Sequence, residues 1–515
     1  MNNGKICVPV SAETSGKAIA DARLSAEFAD VVEIRIDALD PSEIGQFLSG
    51  IRSDKPLLIT YRPAEQGGYR EIEIEQRIKF WNELEESPLD TTRLWFDQEA
   101  DLTGRMRKQD NPVSIRSFHD FDGVPDDVDS IFDRLAADGE VVKIAVTAND
   151  VADAIPVWKL LDRAKSENRQ LIPIAMGEAG KWTRILGLAH GAFLTYASLD
   201  TGKETAGGQL TAKESVETYR VRELDENTQV YGIVGDPVTK SLSPKMLNPA
   251  FVSAGINAVY LHLPVKNLDE FMRRMVMPGS REVELNFAGF SVTMPHKEMI
   301  IKYLDGVDPI AEKIGAVNTV KIENGLLTGY NTDVYGFITP LKQRFGDLRD
   351  ARIAIFGAGG AARACVYALK QENAEVTVFA RDPVRGGAFA NEFGVNFEVI
   401  SDLKHESSKT EGQKPKTDLS AFDIVVDTTP LGMAGAMENE SHFTSDELAG
   451  IKFVYDLVTK SVDTPIIREA KKAGIPYLGG IEMLIAQGAK QFEIWTGREA
   501  PVDVMRNSLI SQMEA

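Results

Sequence analysis

An α/β chain of at least two domains is what the sequence predicts, and three observations carry that reading. Short apolar runs alternate with amphipathic stretches along the whole chain. The length, 515 residues, exceeds what one hydrophobic core organises. A polar interruption, RVRELDENTQ (220–229), divides the alternation in two. With 43% hydrophobic and 26% charged residues the composition is globular, which excludes wholesale disorder and fibrous repeats. The formal net charge of −20 repels phosphate backbones and anionic headgroups, so neither a nucleic acid nor a membrane is an expected partner. Cys7 and Cys365 lie too far apart in the chain for a disulfide framework or a zinc spacing, so no metal is expected. The opening MNNGKICVPVSAETSGK has no long apolar core, which with the two cysteines predicts a cytoplasmic protein without a signal peptide.

In the first part, ICVPV, VVEIRID, PLLITYR, RLWFDQEA, NPVSIRSF, VVKIAVTA, LIPIAMG and AFLTYAS read as strands. The pieces between them are amphipathic. In IEQRIKFWNELEE, for example, Ile74, Ile78, Trp81 and Leu84 share one helical face. Eight such alternations in about 200 residues are what a (β/α)8 barrel requires, and such barrels build their chemistry at the C-terminal strand ends. Glu33 and Arg35 close the second strand, Arg62 the third, and His119 the fifth. Lys143 lies within the sixth, Arg184 follows the seventh, and Thr205 and Gln209 follow the eighth. Lys143 is the most informative of these. A charge inside the apolar run VVKIAV is costly, so a neutral amine able to attack a carbonyl is expected there.

The stretches VVEIRID, LITYRPAEQGG, SFHDF, VVKIAVTA, IAMGEAGKWTRILG and ETAGGQLT resemble type I 3-dehydroquinate dehydratase, in the family's order over residues 5–222. The resemblance implies that Lys143 forms a Schiff base with the C3 ketone of 3-dehydroquinate and that His119 moves protons. It implies that Arg184 holds the substrate carboxylate bidentately, and that Glu33, Arg35, Arg62, Thr205 and Gln209 complete the pocket. A protonated imine acts as an electron sink, acidifying the neighbouring C–H before water is lost. The family has glutamate before the Gly67-Gly68 pair, where this chain has Gln66. An amide can orient an imidazole but cannot stabilise an imidazolium, which predicts a slower dehydratase. Thr205 replaces the family's serine and keeps the hydroxyl.

VYGIVGDP opens the second part, continued by AVYLHLPV, FAGFSVTMP, AVNTVKIENGLLTGYNTD, ARIAIFGAGG, EVTVFAR, DIVVDTTP and KFVYDLV. Residues 405–420, HESSKTEGQKPKTDLS, read as a mobile surface loop. ARIAIFGAGGAARACVYAL sets a glycine turn between a strand and a helix, with Gly357, Gly359 and Ala362 on the G-x-G-x-x-G/A spacing. Gly357, Ala358, Gly359, Gly360 and Ala361 are therefore expected to cradle a dinucleotide pyrophosphate at the helix N-terminus. The next strand ends in Arg381-Asp382, where ribose specificity is decided. Arg381 suits a 2′-phosphate and hence NADP, whereas Asp382 suits the free hydroxyls of NAD.

YGIVGDPVTKSLSP, GFSVTMPHKE, GAVNTV, GYNTDVYGF, GAGGAARA, TTPLGM and GGIEMLIAQGAKQFEIWTG resemble shikimate dehydrogenase in order across residues 229–515. The expected architecture is thus a barrel, 1–222, fused to a two-lobed shikimate-dehydrogenase-like unit. A shikimate-binding lobe would span 229–335 and 480–515, and a Rossmann-type NADP-binding lobe 336–479. The resemblance implies that Ser241 and Ser243 bind shikimate hydroxyls, that Thr293, Asn318 and Gln487 line the same pocket, and that Lys297 and Asp333 are the catalytic pair. A lysine ammonium can stabilise a developing alkoxide and protonate it, while a carboxylate holds the hydroxyl and the lysine in place. Arg381 and the family's habit favour NADP, with NAD left open by Asp382. Departures from the family are Ser291 for asparagine, Thr459 for a substrate-contacting tyrosine, and Ala380-Arg381-Asp382 for Asn-Arg-Thr; His296 is read as structural.

The two resemblances together imply a bifunctional enzyme of aromatic amino acid biosynthesis. It would convert 3-dehydroquinate to 3-dehydroshikimate and then, with NADPH, to shikimate. A quinate dehydrogenase is the nearest enzyme alternative, against which the Ser241–Ser243 pair argues. A ligand sensor with dead sites is opposed by the presence of Lys143, His119, Lys297 and Asp333. Oligomeric state and channelling are not legible.

Overall fold

Eight apolar runs of the first part form one parallel sheet: β1 (Ile6–Val10), β2 (Val31–Arg35), β3 (Leu57–Thr60), β4 (Leu94–Glu99), β5 (Ser114–Asp120), β6 (Val141–Thr147), β7 (Gln170–Met176) and β8 (Thr195–Tyr196). The computed structural model describes residues 2–85, 94–105, 113–400, 419–433, 437–459 and 463–514. It divides into two compact units, Met1–Pro244 with Gly255–Phe287, and Lys245–Ala254 with Ala288–Ala515. Most of the expected loop at 405–420 lies outside the described residues; within it, Leu419 starts a short 3-10 turn, Leu419–Ala421.

In the first unit the strand order is β7-β6-β5-β4-β3-β2-β1-β8. Near the ends of this order, Phe193 N donates to Leu171 O at 2.9 Å, just ahead of β8, so the expected barrel is nearly closed. Alternate residues of each strand fill its interior. Cys7, Val31, Leu58, Trp95, Ile115, Val141, Ala145, Ile172 and Tyr196 belong to one buried cluster. The same unit ends in a parallel pair, β9 (Gln229–Gly235) and β10 (Ala258–Pro264).

The second unit has two sheets. β11 (Phe287–Val292), β12 (Gly306–Val307), β13 (Thr319–Glu323) and β14 (Leu326–Tyr330) lie in the order β11-β13-β14-β12. Asn324 and Gly325, at φ of 54° and 79°, turn β13 into β14 as a tight hairpin. The other sheet is wholly parallel: β15 (Arg352–Phe356), β16 (Glu375–Ala380), β17 (Asn396–Val399), β18 (Ile424–Asp427), β19 (Phe453–Asp456) and β20 (Tyr477–Leu478). Its order, β17-β16-β15-β18-β19-β20, is that of a Rossmann sheet, with the switch point between β15 and β18. β12, β17 and β20 were not foreseen. Two are only two residues long, and β17 is an edge strand with little buried surface to pattern it. No described helix is long and apolar enough to cross a membrane.

The helix Asp333–Phe345 packs against the helix Gly480–Thr496, and Gly336 permits the approach. A Cβ at Gly336 would stand 2.6 Å from Gln487 Cβ and 3.0 Å from Met483 O. Gly336→Ala is therefore expected to destabilise the protein by about 1–3 kcal/mol, the usual cost of overpacking. Urea unfolding measures this, and an unchanged midpoint contradicts the close crossing.

Candidate active sites

The barrel brings all eight of its expected site residues to one cavity, which Glu33, Arg35, Arg62, His119, Lys143, Arg184, Thr205 and Gln209 line together with Tyr196 and Gln66. β6 aims Lys143 inward, between the interior residues Val141 and Ala145. A buried amine needs hydrogen-bond partners, and this one has two. Lys143 Nζ donates to Asp97 Oδ2 at 2.9 Å and to Tyr196 Oη at 3.1 Å. The same Asp97 oxygen accepts from Arg62 Nη2 at 2.7 Å. Burial opposes the charge on Asp97, but Lys143 and Arg62 overcome it and hold the carboxyl down to about 2. Asp97 was missed by the sequence reading; its only signal was an acid within the apolar run of β4.

Arg62 also donates through Nε to Glu99 Oε1 at 3.2 Å, and Arg77 Nη1 donates to Glu99 Oε2 at 3.2 Å. Burial pushes Glu99 up to about 7, with Arg62 and Arg77 opposing and the charge of Asp97 adding to it. Glu33 accepts from Thr60 Oγ1 at 2.6 Å. Arg35 grips Asp37 through Nε at 3.1 Å and Nη2 at 2.7 Å, and donates to Gly67 O at 3.0 Å. That bond ties the Gly67-Gly68 turn to the strand ends. Thr205 and Gln209 bond each other, Thr205 N to Gln209 Oε1 at 2.8 Å and Gln209 Nε2 to Thr205 Oγ1 at 3.2 Å.

Three buried polar groups in this cavity have no hydrogen-bond partner: His119 Nδ1, Gln66 Oε1, and Arg184 through both Nε and Nη1. Gln66 thus does not orient His119 through a direct bond. Burial, followed by the charges of Arg62, Lys143 and Arg35, depresses the His119 imidazole well below its usual range, so the ring is neutral at pH 7. Arg184 stands on the short helix Lys181–Leu186, and burial lowers it to about 10. A buried guanidinium with two unfilled donors in a cavity is a site for a planar anion.

In the second unit, Lys297 Nζ donates to Asp333 Oδ2 at 2.5 Å, and Asn318 Nδ2 donates to Asp333 Oδ1 at 2.8 Å. Lys297 comes from the turn after β11 and Asp333 from the first position of its helix, so the chain brings the expected pair together. Asn318 spends its amide protons on Asp333 and on Thr332 Oγ1, at 3.0 Å. Thr293 and Gln487 are partly buried, Gln487 donating to Leu484 O at 3.0 Å; Thr459 is exposed. Ser241 and Ser243 belong to the first unit, where Ser241 Oγ donates to Ser243 Oγ at 3.1 Å. His262 of β10, a residue not foreseen, steadies them by donating from Nε2 to Ser241 O at 2.9 Å.

At the Rossmann switch point Gly357 has φ +112°, and a Cβ there would lie 2.4 Å from Thr428 Oγ1, so only glycine fits. Gly359 caps the helix Gly360–Gln371, and a Cβ at Gly359 or Gly360 would meet nothing within 4 Å. Ala361 lies in the first turn of that helix. A cavity of about 710 Å³ opens here, lined by Gly357, Ala358, Gly359, Arg381, Thr428 and His442 among others. Burial, and then Arg381, lowers His442 to about 4. Asp382 Oδ1 accepts from Val384 N at 2.9 Å and Arg385 N at 3.1 Å, capping the helix Pro383–Phe393, while Arg381 and Asp382 are both exposed and both line the cavity. Open glycine backbone, a helix N-terminus and a free guanidinium fit a phosphorylated dinucleotide.

Comparison with known proteins gives three family matches. The family model for type I 3-dehydroquinase matches residues 6–226. Those for the shikimate dehydrogenase substrate binding domain and the shikimate 5'-dehydrogenase C-terminal domain match 233–320 and 480–510. A chloroplastic bifunctional 3-dehydroquinate dehydratase/shikimate dehydrogenase of Arabidopsis thaliana is 34% identical over 98% of this chain and 84% of its own. The NADP(+) shikimate dehydrogenase of Methanocaldococcus jannaschii is 38% identical over 56% of this chain and 99% of its own. A crystal structure of a shikimate dehydrogenase in complex with NADP+ matches at TM-score 0.50 and 37% identity, covering 56% of this chain and 97% of that one. The chain is a member of the bifunctional 3-dehydroquinate dehydratase/shikimate dehydrogenase family.

Proposed function

We propose that the chain dehydrates 3-dehydroquinate at the barrel cavity and reduces the resulting 3-dehydroshikimate to shikimate, with NADPH, at the Lys297–Asp333 pair. The observation that carries the reading is the presence of two separate lysine–carboxylate pairs, Lys143–Asp97 and Lys297–Asp333, in two units. The proposed bodies are the barrel, 1–222, the shikimate lobe, 229–335 with 480–515, and the nucleotide lobe, 336–479. The proposed setting is the cytoplasm, which suits two buried free cysteines.

In the barrel, Lys143 Nζ attacks the C3 ketone and water leaves to form an imine, with Asp97 at 2.9 Å and Tyr196 Oη at 3.1 Å orienting the amine. The unfilled donors of Arg184 receive the substrate carboxylate, which supplies the partner that this buried cation lacks. His119, neutral with Nδ1 free, takes the proton beside the imine carbon, and hydroxide then leaves as water. In the reductase half, Lys297 delivers a proton to the ketone oxygen, and Asp333 holds the lysine and a substrate hydroxyl. Ser241 and Ser243 offer paired hydroxyls to the polyol. Gly357 to Gly359 and the following helix N-terminus hold the pyrophosphate, and Arg381 the 2′-phosphate. When bound, NADPH supplies the hydride.

Borohydride added with 3-dehydroquinate is expected to leave a substrate-sized mass on the peptide bearing Lys143 and none in Lys143→Ala. Labelling that survives in the variant overturns the imine assignment.

Burial and three cations depress His119, so a carboxylate facing the same cavity should offset part of that. Gln66→Glu is expected to raise the His119 pKa, because added negative charge favours the imidazolium. The acid limb of the dehydratase kcat/KM profile then moves to higher pH, and kcat rises. A limb that stays in place, with kcat unchanged, removes Gln66 from the proton-transfer step.

Arg381→Ala is expected to raise KM for NADPH by roughly 10–100-fold, the worth of a hydrogen bond to a charged group, while leaving that for NADH nearly unchanged. Equal losses with both cofactors would deny Arg381 the 2′-phosphate.

A further inference from the structure

We infer that Ser291, Gln491 and Thr319 are positioning residues for the reductase reaction, forming a one-way chain of donated hydrogen bonds that orients Asn318 on Asp333. The inference rests on reading Lys297 and Asp333 as the proton-transfer pair. The chain begins on β11, where Ser291 Oγ donates to Gln491 Oε1 at 2.8 Å. Gln491, 1% exposed on the helix Gly480–Thr496, donates from Nε2 to Thr319 Oγ1 at 2.9 Å. Thr319 Oγ1 donates to Asn318 Oδ1 at 2.7 Å, and Asn318 Nδ2 reaches Asp333 Oδ1 at 2.8 Å. Lys297 occupies the other carboxylate oxygen.

Direction follows from what each atom is able to do. An amide has one accepting and one donating end, so the Ser291 hydroxyl on Oε1 turns Nε2 of Gln491 toward Thr319. Nε2 only donates, which leaves the Thr319 hydroxyl to give its own proton elsewhere. Asn318 Oδ1 at 2.7 Å is a nearer acceptor than Thr332 Oγ1 at 3.3 Å. Asn318 Oδ1 also accepts from Thr332 N at 2.7 Å. With its carbonyl so engaged, Asn318 presents Nδ2 to Asp333; flipped, it would set two acceptor oxygens against each other. Donors aligned head to tail strengthen one another, and the chain ends on the carboxylate that faces Lys297. Ser291, Gln491, Thr319 and Asn318 are all buried, so water does not substitute for a missing link.

The test is shikimate oxidation with NADP+ by the full chain, with dehydratase turnover in the same preparation reporting folding. Gln491→Glu keeps the size and the acceptors but removes the donor, drawing the Thr319 proton away from Asn318. It is expected to lower kcat roughly tenfold while KM for shikimate stays within about twofold, the signature of a group acting on the reacting state and not on binding. NADP+ affinity, read by fluorescence titration, is expected to be unchanged. Ser291→Val should reproduce the loss and Ser291→Thr, which keeps the hydroxyl, should restore turnover. Wild-type kcat in Gln491→Glu, or equal turnover in the two Ser291 variants, overturns the inference. The Ser291 comparison decides alone where Gln491→Glu does not accumulate. A wild-type chain that oxidises no shikimate overturns the reading of this half instead.

Discussion

Charge taken out of water at the C-terminal ends of a parallel barrel is the constraint around which the first unit is built. β2, β3, β4 and β6, with the residues that follow them, deliver Glu33, Arg35, Arg62, Asp97, Glu99 and Lys143 to one buried layer. An isolated ion there costs several kcal/mol even after relaxation, so sign alternation is obligatory. It is met by the run Lys143–Asp97–Arg62–Glu99–Arg77, in which every carboxylate lies between two cations. The run is not uniform. Asp97 has both cations on one oxygen and is held ionised, whereas Glu99 has its two arginines at 3.2 Å and is pushed toward neutrality. Arg184 stands outside it, a buried cation whose Nε and Nη1 are unsatisfied. A group of that kind is tolerated where a ligand completes it.

The chain carries two lysine–carboxylate pairs with different surroundings. Lys143 is 4% exposed and shares its carboxylate with an arginine, under a tyrosine hydroxyl. Lys297 is 22% exposed and has Asp333 oxygen Oδ2 while an asparagine holds Oδ1. The first arrangement suits an amine that makes a covalent bond, because Asp97 and Tyr196 fix where its nitrogen points. The second suits an ammonium that hands over a proton and recovers it from solvent. A lysine beside an acid therefore does not define a reaction; the neighbours of the acid do.

Much of this was legible in the sequence because the determining signals were local. Period and apolar runs marked every long strand, and the glycine spacing marked the turn at Gly357. Lys143 stood out as a charge in an apolar run. What escaped was set by pairing across the sheet or between distant elements. Asp97 lies 46 positions from the lysine it serves, and Gln491 lies 172 positions from Thr319. No spacing rule reaches that far. Where Gln66 points escaped for a related reason: adjacency to the Gly67-Gly68 turn does not say where an amide oxygen points, and Gln66 Oε1 has no partner. Short edge strands such as β12 and β20 left no pattern at all.

The capping of the helix Pro383–Phe393 by Asp382 has an evolutionary side. One oxygen of that carboxylate is already committed to two backbone amides, which leaves only the other to read a ribose. A lineage drifting toward NAD would have to read the ribose with the second oxygen alone, recruit an acid from another position, or give up a cap worth about 1 kcal/mol. Coenzyme preference in this chain is thereby tied to the stability of the helix Pro383–Phe393, and selection on either trait is felt by the other.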